Sequence, residues 1–375
     1  RHARRGQVKR LDALVLKELL GPWVFGVSMF TMLLLSATYL GRIANYVVQG
    51  VSGSLILKVT LLLLPAILVQ TFAMALLLGT LLAFGRLSGD SEITAIRAAG
   101  VSLYRIVAPV AVFSLIVAAG AFYMNEQVVP PATRESAALM ANIAKGTTLH
   151  SAQPIKHIEV KNGKVVLMIG ALDFSLLHRD LRGVQVTFYD KNENVQYYMT
   201  ADGLEFTSLQ EWRISGKAEL LSADGSNLIK VTGAWPEGLP TLTSSPEDIL
   251  AGQNTVMDTY SMSQIREQIA KGRASGNFTI EMIRNYEYFY WNKIALPLAA
   301  FIFGTLGATL GIRNQRTGTA TGFAIAIIII FGYFMLSSFM NVFAQGGIFP
   351  PYIASFTPIA IGLVASGVII WRRNR

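Results

Sequence analysis

Pro154-Ile-Lys-His-Ile-Glu-Val-Lys-Asn-Gly-Lys-Val-Val-Leu-Met-Ile169 is the stretch on which the fold turns. Ile155 to Val160 and Lys164 to Ile169 are β-rich runs with a period of two, and Asn162-Gly163 between them is the pair that a two-residue hairpin requires. The pattern continues through Gly183 to Tyr189, a turn at Asp190 to Asn194, Val195 to Thr200, Asp202-Gly203, and Leu204 to Thr207. Trp212 to Ser215, Ala218 to Ala223, Asp224-Gly225 and Leu228 to Thr232 complete it. Seven or eight short strands with a turn at every roughly 8–12 residues predict an antiparallel sandwich or jelly roll. Alternating positions such as Val184, Val186 and Phe188, or Val195, Tyr197 and Met199, are core in that reading. If one end of the roll stays open, an acyl chain could lie inside, or an edge strand could pair with another β-protein.

These strands sit inside a water-loving block, residues 126–285, that interrupts an otherwise membrane-like chain. Residues 236–256, with Pro236, Pro240 and Pro246, read as a linker, and a short helix follows at Ser263 to Lys271, where Ile265 and Ile269 share a face. Three apolar segments precede the block and three follow it, at about Trp23 to Leu40, Leu55 to Phe84, Leu103 to Tyr123, Tyr288 to Ile312, Thr319 to Phe343 and Tyr352 to Trp371. Each is long enough to cross hydrocarbon as a helix. The first is read as a retained helix rather than a signal peptide, because its apolar run is long and no small-x-small site precedes Arg42. Pro65, Pro109, Pro297 and Pro358 lie within or near the ends of spans, as membrane helices tolerate. Gly304, Gly307 and Gly311 let another helix approach closely, either within this chain or in a dimer.

Composition agrees: 52% of the 375 residues are hydrophobic and 15% charged. A soluble domain carries about 25% charged residues. The net charge of +9 is uneven, with 15 Lys and Arg against 18 Asp and Glu in residues 126–285, and 17 against 5 in the remainder. The basic residues therefore flank the spans, where membrane orientation accounts for them, and nucleic acid is a poor partner. Six precede the first span between Arg1 and Lys17, Arg86, Arg97 and Arg105 follow the second, Arg313 and Arg316 follow the fourth, and Arg372, Arg373 and Arg375 end the chain. Simple alternation puts all four segments on one side. Both termini are then expected in the cytoplasm and the β-rich block in a periplasm. Tyr286, Tyr288, Tyr290 and Trp291 mark the interface where the fourth span begins.

No catalytic set emerges from the sequence. His150, His157 and His178 are scattered, cysteine is absent, and His157 with Glu159 is a pair on one face of a strand, so no metal site is expected. The stretch between spans two and three is more telling. Ser91 can cap a helix of about ten residues (91–100) that begins with Glu92, carries Ile93 and Ile96 on one face and Arg97 elsewhere, and ends at Gly100. It is either a connector or a docking element. No phosphate-cradling G-x-x-x-x-G-K-[ST] loop and no isolated mid-membrane proton relay occurs, so if the protein pumps its energy comes from elsewhere, and an ATPase partner holding ATP and magnesium and docking on the short helix would supply it. Arg42, Lys58 and Lys293 fall where the outer leaflet would be, poor in cations by the orientation rule, and either snorkel to ordinary headgroups or capture lipid phosphates.

The 3+3 layout, the stretch Ser91-Glu-Ile-Thr-Ala-Ile-Arg-Ala-Ala-Gly-Val-Ser102 and the run Ala295-Leu-Pro-Leu-Ala-Ala-Phe-Ile-Phe-Gly-Thr-Leu-Gly-Ala-Thr-Leu-Gly311 resemble the lipopolysaccharide-export permeases LptF and LptG (YjgP/YjgQ) over essentially the whole chain. The resemblance implies one half of a twelve-span ABC permease, energised by an LptB-type ATPase dimer. Such a permease extracts lipopolysaccharide from the outer leaflet of the inner membrane and passes it through β-jellyroll domains to an LptC/LptA-type β-bridge. It implies that the helix between spans two and three enters a groove on the ATPase, with Glu92 at the acidic contact position; Ile93, Ile96 and Arg97, on the same helix but matched to no fixed family residue, are the further coupling candidates. It implies further that spans one and five of opposite partners form the gates by which lipid enters. The expectation is thus an α+β membrane protein of three parts. Residues 1–125 carry spans one to three, residues 126–285 form an inserted periplasmic β-jellyroll, and residues 286–375 carry spans four to six. It would itself be no enzyme. A scaffold without an ATPase, a membrane-anchored hydrolase and a permease of another ABC exporter are the competing readings.

Overall fold

The computed structural model describes residues 2–48, 50–146, 155–175, 178–207, 209, 211–246, 249, 260–276, 278–312 and 319–374; within these, the side chains of residues 2–10, 42, 45, 141–146, 319, 320, 373 and 374 are not described. His150, Arg313 and Arg316 lie outside the described residues. Six helices are long and apolar enough to cross a membrane, at Leu11–Gly41, Gly53–Gly89, Leu103–Met140, Ile280–Gly311, Thr321–Gln345 and Pro351–Arg372. They belong to α1 (His2–Val48), α2 (Gly53–Gly89), α4 with α5 (Leu103–Tyr123 and Val129–Gly146), α7 (Ile280–Gly311), α8 (Thr319–Gln345) and α9 (Pro351–Asn374). A short α3 (Glu92–Ala98) joins α2 to α4, and α6 (Met262–Ser275) precedes α7. All six expected spans are present. In hydrocarbon the backbone must satisfy its own polar groups, so unbroken apolar runs of this length have no alternative to helix.

The third span differs from expectation. It does not end where polar residues begin but continues through a π-helical segment, Met124–Val128, into α5. The change of composition at 126 therefore marks where the helix becomes polar, and the helix itself runs on to Gly146.

The inserted block forms one antiparallel sheet of six strands in meander order, β1 (Ile155–Lys161), β2 (Lys164–Ser175), β3 (Asp180–Tyr189), β4 (Val195–Phe206), β5 (Trp212–Ser222) and β6 (Leu228–Gly233). Asn162 and Gly163, with φ of 53° and 76°, make the β1–β2 hairpin as expected, and Gly225 turns β5 into β6. Asp202-Gly203 is not a turn, which is why there are fewer and longer strands than the spacing predicted. It sits within β4 at a register shift, opposite a second irregularity in β5 at Gly216, whose φ is 84°. Asp202 Oδ2 accepts the Lys217 N–H at 2.9 Å, so a side chain satisfies the donor that the bulge takes from the ladder. Among the described residues there is no second sheet, so what stands of the expected jelly roll is a single sheet.

That sheet is strongly curled. Ser244 contacts His157 of β1 through its hydroxyl (3.0 Å) and Trp212 of β5 through its carbonyl (2.9 Å). In a flat sheet strands separated by three neighbours stand nearly 20 Å apart. One residue can bridge them only if the sheet folds over on itself, and the enclosed face then becomes a core. Leu167, Ile169, Leu181, Val186, Phe188, Met199 and their neighbours are buried there. The segment read as a linker takes part in this core, for Leu242 and Ile249 are buried in it and Trp235 and Leu239 pack against it.

Within the helical bundle α7 packs against α2 and α4 over its glycines. A methyl group on Gly304 would strike Ser114, one on Gly307 would stand 2.8 Å from the Leu77 carbonyl, and one on Gly311 2.7 Å from Phe84 Cβ. All three glycines serve packing within the chain. Substituting Gly307 by Leu should lower stability by about 1–3 kcal/mol or more through overpacking, whereas Gly120→Ala, where nothing lies within 4 Å, should be neutral or mildly stabilising. Thermal unfolding of the purified protein in detergent checks both; equal midpoints for the two variants would mean that the close approach does not matter.

Candidate coupling helix and lipid-facing surface

The α2–α3 connection is a tight turn in which Asp90 N–H bonds to Arg86 O (2.9 Å) and Ser91 N–H to Ser88 O (3.1 Å). Ser91 is thereby left in the left-handed region at φ 63°, and its hydroxyl makes no cap, contrary to the sequence reading. Gly100, at φ 85°, ends the helix as expected, but the helix has seven residues rather than about ten.

Ile93 is buried, packed with Val15 and Leu19 of α1, Phe84 and Leu87 of α2, and Leu103 and Ile106 of α4, and Ile96 is half-buried on the same cluster. This corrects the expectation that Ile93 and Ile96 offer an apolar face to a partner. They plug α3 into the chain's own bundle, where burying an isoleucine is worth roughly 1.5–3 kcal/mol. Thr94, Ala95, Arg97 and Ala98 form the exposed side of α3, and Glu92, half-exposed, stands at its start on the border with the buried side. Ion pairs brace the surroundings, Arg86 with Glu18 at 2.7 Å and Arg105 with Asp12 at 2.7 Å. Two cations that the sequence offered only as orientation signals thus also tie α1 to α2 and α4.

The three expected headgroup cations part company. Lys58 is exposed and pairs with Glu135 of α5 at 2.8 Å. Beside it a small apolar crevice between α1, α2 and α5 is lined by Leu35, Tyr39, Tyr46, Val59, Leu63 and Met140, among others. Arg42 lies on α1, but its side chain is outside the described residues. Lys293 is 3% exposed, which removes it from a lipid-facing set. Its ammonium donates to the Asn125 carbonyl (3.0 Å) and to Asn125 Oδ1 (2.8 Å), beside a cavity of about 30 Å³ that Gln70 and Asn292 help to line. The cause is the π-helical segment. Its wider turn turns Asn125 inward and frees a carbonyl that an α-helix would use itself. The next residue, Glu126, accepts the Met262 N–H at the start of α6 with both oxygens at 3.0 Å. Neither tie was legible, because a π turn leaves no periodic mark in sequence.

Residues 157 and 159 do meet a distant hydroxyl. His157 Nε2 lies 3.1 Å from Glu159 Oε2 and 3.0 Å from Ser244 Oγ, which itself donates to Glu159 at 2.9 Å, and Thr243 donates to the other carboxylate oxygen. Burial pushes the Glu159 carboxyl up, but the bonds from His157, Thr243 and Ser244 outweigh it and hold it below the usual carboxylate range. A hydrolytic triad needs the acid on one imidazole nitrogen and the serine on the other. Here both crowd the same nitrogen, so the cluster fastens rather than catalyses. Among the described residues no three metal-ligating side chains gather.

The first and fifth spans are the least covered, with 17% and 11% of their most apolar stretch buried against 72% for the fourth. Spans one and five thus carry free apolar faces, in a chain with a sheet domain inserted after the third span. The model for "Lipopolysaccharide export system permease LptF/LptG" matches residues 13–372. The chain belongs to that family. The lipopolysaccharide export system permease protein LptG of Escherichia coli K12 is 24% identical over 377 aligned residues, which cover 96% of this chain and 99% of the relative. Its counterpart in Escherichia coli O6:H1 strain CFT073 shows the same identity and coverage. As a member, this chain is a multi-pass inner-membrane permease subunit of a lipopolysaccharide exporter of the ABC class, and not itself an enzyme.

In this permease Ile93→Ala should cost about 2–5 kcal/mol, the range for emptying a buried aliphatic site. Thr94→Ala, one residue along on the exposed side, should stay within about 0.5 kcal/mol. Lys293→Ala should cost about 1–3 kcal/mol by leaving the buried Asn125 oxygens without their donor. Unfolding midpoints in detergent decide each, and an Ile93 variant as stable as the parent would show that α3 is not seated as described.

Proposed function

We propose that this subunit draws lipopolysaccharide out of the outer leaflet of the inner membrane and hands it along its β-sheet domain, in the periplasm, to a β-bridge of LptC/LptA type. A second LptF/LptG-type permease completes the pathway, and an LptB-type ATPase dimer, docked on α3 at the cytoplasmic side, supplies the energy. Both termini are cytoplasmic in this reading, as the distribution of Lys and Arg around the spans favours.

The observation that carries the proposal is the seating of α3. A docking element transmits displacement only if it cannot slide on its own support, and Ile93 is buried in a cluster shared with residues of α1, α2 and α4. Glu92 stands half-exposed at the start of that helix, and in this reading it makes the partner contact. Arg97 lies on the exposed side. The free faces of α1 and α8, with exposed Phe25, Met32 and Leu33 on one and Ile328, Phe331 and Met335 on the other, suit a partner permease or lipid in transit. Lys58 and Arg42 remain as the cations for lipid phosphates, and a phosphate approaching Lys58 must compete with Glu135.

The experiment is Glu92→Ala in the assembled complex reconstituted in proteoliposomes, followed by ATP-dependent release of lipopolysaccharide to a soluble acceptor. Losing one hydrogen bond to a charged group should reduce release about tenfold or more, with the unfolding midpoint unchanged because Glu92 supports nothing inside the chain. Release at the parent rate would remove Glu92, and α3 with it, from the coupling route.

A further inference from the structure

Residues 235–246 cross the open side of the curled sheet without becoming part of it. They pair with no strand, since the ladder runs from β1 to β6 and ends there. Pro236, Pro240 and Pro246 cannot donate backbone hydrogen bonds. The Trp235 indole bonds within the segment to Pro240 O at 3.0 Å, which stiffens the crossing but anchors it to nothing else. What holds the crossing down is of two kinds. Leu242, with Leu239 and Trp235 beside it, inserts into the apolar core formed by the sheet. Thr243 and Ser244 fasten to His157 and Glu159 on the edge strand β1, and the Ser244 carbonyl to the Trp212 indole on β5.

We propose that residues 235–246 are a displaceable strap lying in the path of an acyl chain along the sheet's apolar face, with His157, Glu159, Thr243 and Ser244 as its latch. The inference rests on the reading that the sheet conducts lipid, and adds how that conduit is opened and closed. Three properties support it. The strap can lift without breaking a single strand-to-strand hydrogen bond, so opening does not unfold the sheet. An acyl chain offers the core the same chemistry as Leu242, so exchanging one for the other keeps a comparable apolar area out of water. The latch consists of a carboxylate, an imidazole and two hydroxyls, which water can satisfy once the strap is raised; the Trp212 indole N–H, which gives up the Ser244 carbonyl, is the buried donor that opening leaves to be satisfied. The strap therefore fills the trough while no lipid is present, and an otherwise exposed apolar face does not invite aggregation.

The chain has no cysteine, so a cysteine pair can be placed uniquely. Glu159→Cys with Thr243→Cys replaces the latch by two thiols that a bis-methanethiosulfonate spacer joins and a reductant separates. The full-length protein, in its complex in proteoliposomes containing purified lipopolysaccharide, carries p-benzoylphenylalanine at Tyr197, which packs against the core. With ATP, photocrosslinking of lipopolysaccharide at this position should vanish in the bridged state and return after reduction. A Thr243→Ala, Ser244→Ala variant, lacking two bonds to a charged group, should show roughly tenfold more crosslinking than the parent at limiting ATP. Equal crosslinking in bridged and reduced protein would overturn the strap while leaving the conduit standing. No crosslinking at Tyr197 in any state, with ATP-driven release intact, would overturn the conduit and the strap together. Protease resistance of the reduced cysteine pair, expected to match that of the parent, excludes misfolding as the cause of a loss; a collapse of that resistance would show the latch to be part of the fold's foundation and overturn its role as a releasable device.

Discussion

Helix α7 approaches α2 and α4 more closely than side chains permit, and Gly304, Gly307 and Gly311 are the concession that makes this possible. The rest of the bundle is arranged around the contact. Between helices in a membrane there is no water to expel, so association depends on van der Waals fit. Fit is best where backbones touch. Ala299, Ala300 and Ala308 extend the small-residue surface of α7, and Leu76, Leu77 and Leu78 of α2 are fully buried near it. A pair packed in this way has few soft rotamers to absorb strain. The α2–α7 contact joins the first three spans to the last three, and a hinge between the two halves would have to break it.

This rigidity gives α3 its meaning. A seven-residue helix has almost no stability of its own, because nucleation costs more than so few hydrogen bonds return. It persists here because Ile93 is buried in a cluster that residues of α1, α2 and α4 share with it. The arrangement fixes α3 to the bundle, so it is more than a loose loop between two spans. The side chains that fix it point inward, and the surface left for a partner is short and polar. Specificity must then come from few groups, among which Glu92 is the only acid on the helix.

How much of this was legible follows from what each feature depends on. Spans, hairpin turns and the close-packing glycines are local and leave marks in the sequence: a run of apolar residues, an Asn-Gly pair, a spacing of four between Gly307 and Gly311. Features that depend on two distant segments leave none. Asp202-Gly203 looks like Asn162-Gly163, and only the partner strand decides that one is a bulge and the other a turn. Ile93 and Ile96 share a face by spacing, but whether that face looks inward depends on where α1 lies. Residues 236–256 are rich in proline and polar residues and so read as a linker, while Leu242 and Ile249 are buried by a sheet whose strands reach back to Ile155. Lys293 went furthest astray. A lysine near the end of a span normally snorkels, and only the π-helical turn at Asn125 provides an inward partner that outbids water.

That turn also settles how the sheet domain is hung. The chain leaves the bundle once, along α4 and α5, and returns once, through α6 and α7. Both passages are tied at the π-helical segment, for Asn125 receives Lys293 of α7 and Glu126 receives the first amide of α6. A buried ammonium bonded to fixed oxygens is costly to separate, since parting leaves the donor and both acceptors unsatisfied away from water. The outgoing and returning helices therefore cannot slide past one another near the sheet domain without breaking these bonds. A tilt of the bundle reaches the sheet as a tilt of its whole mount. Beyond the mount, the crossing segment at 235–246 joins no strand ladder and is held to β1 and β5 by side chains and one carbonyl.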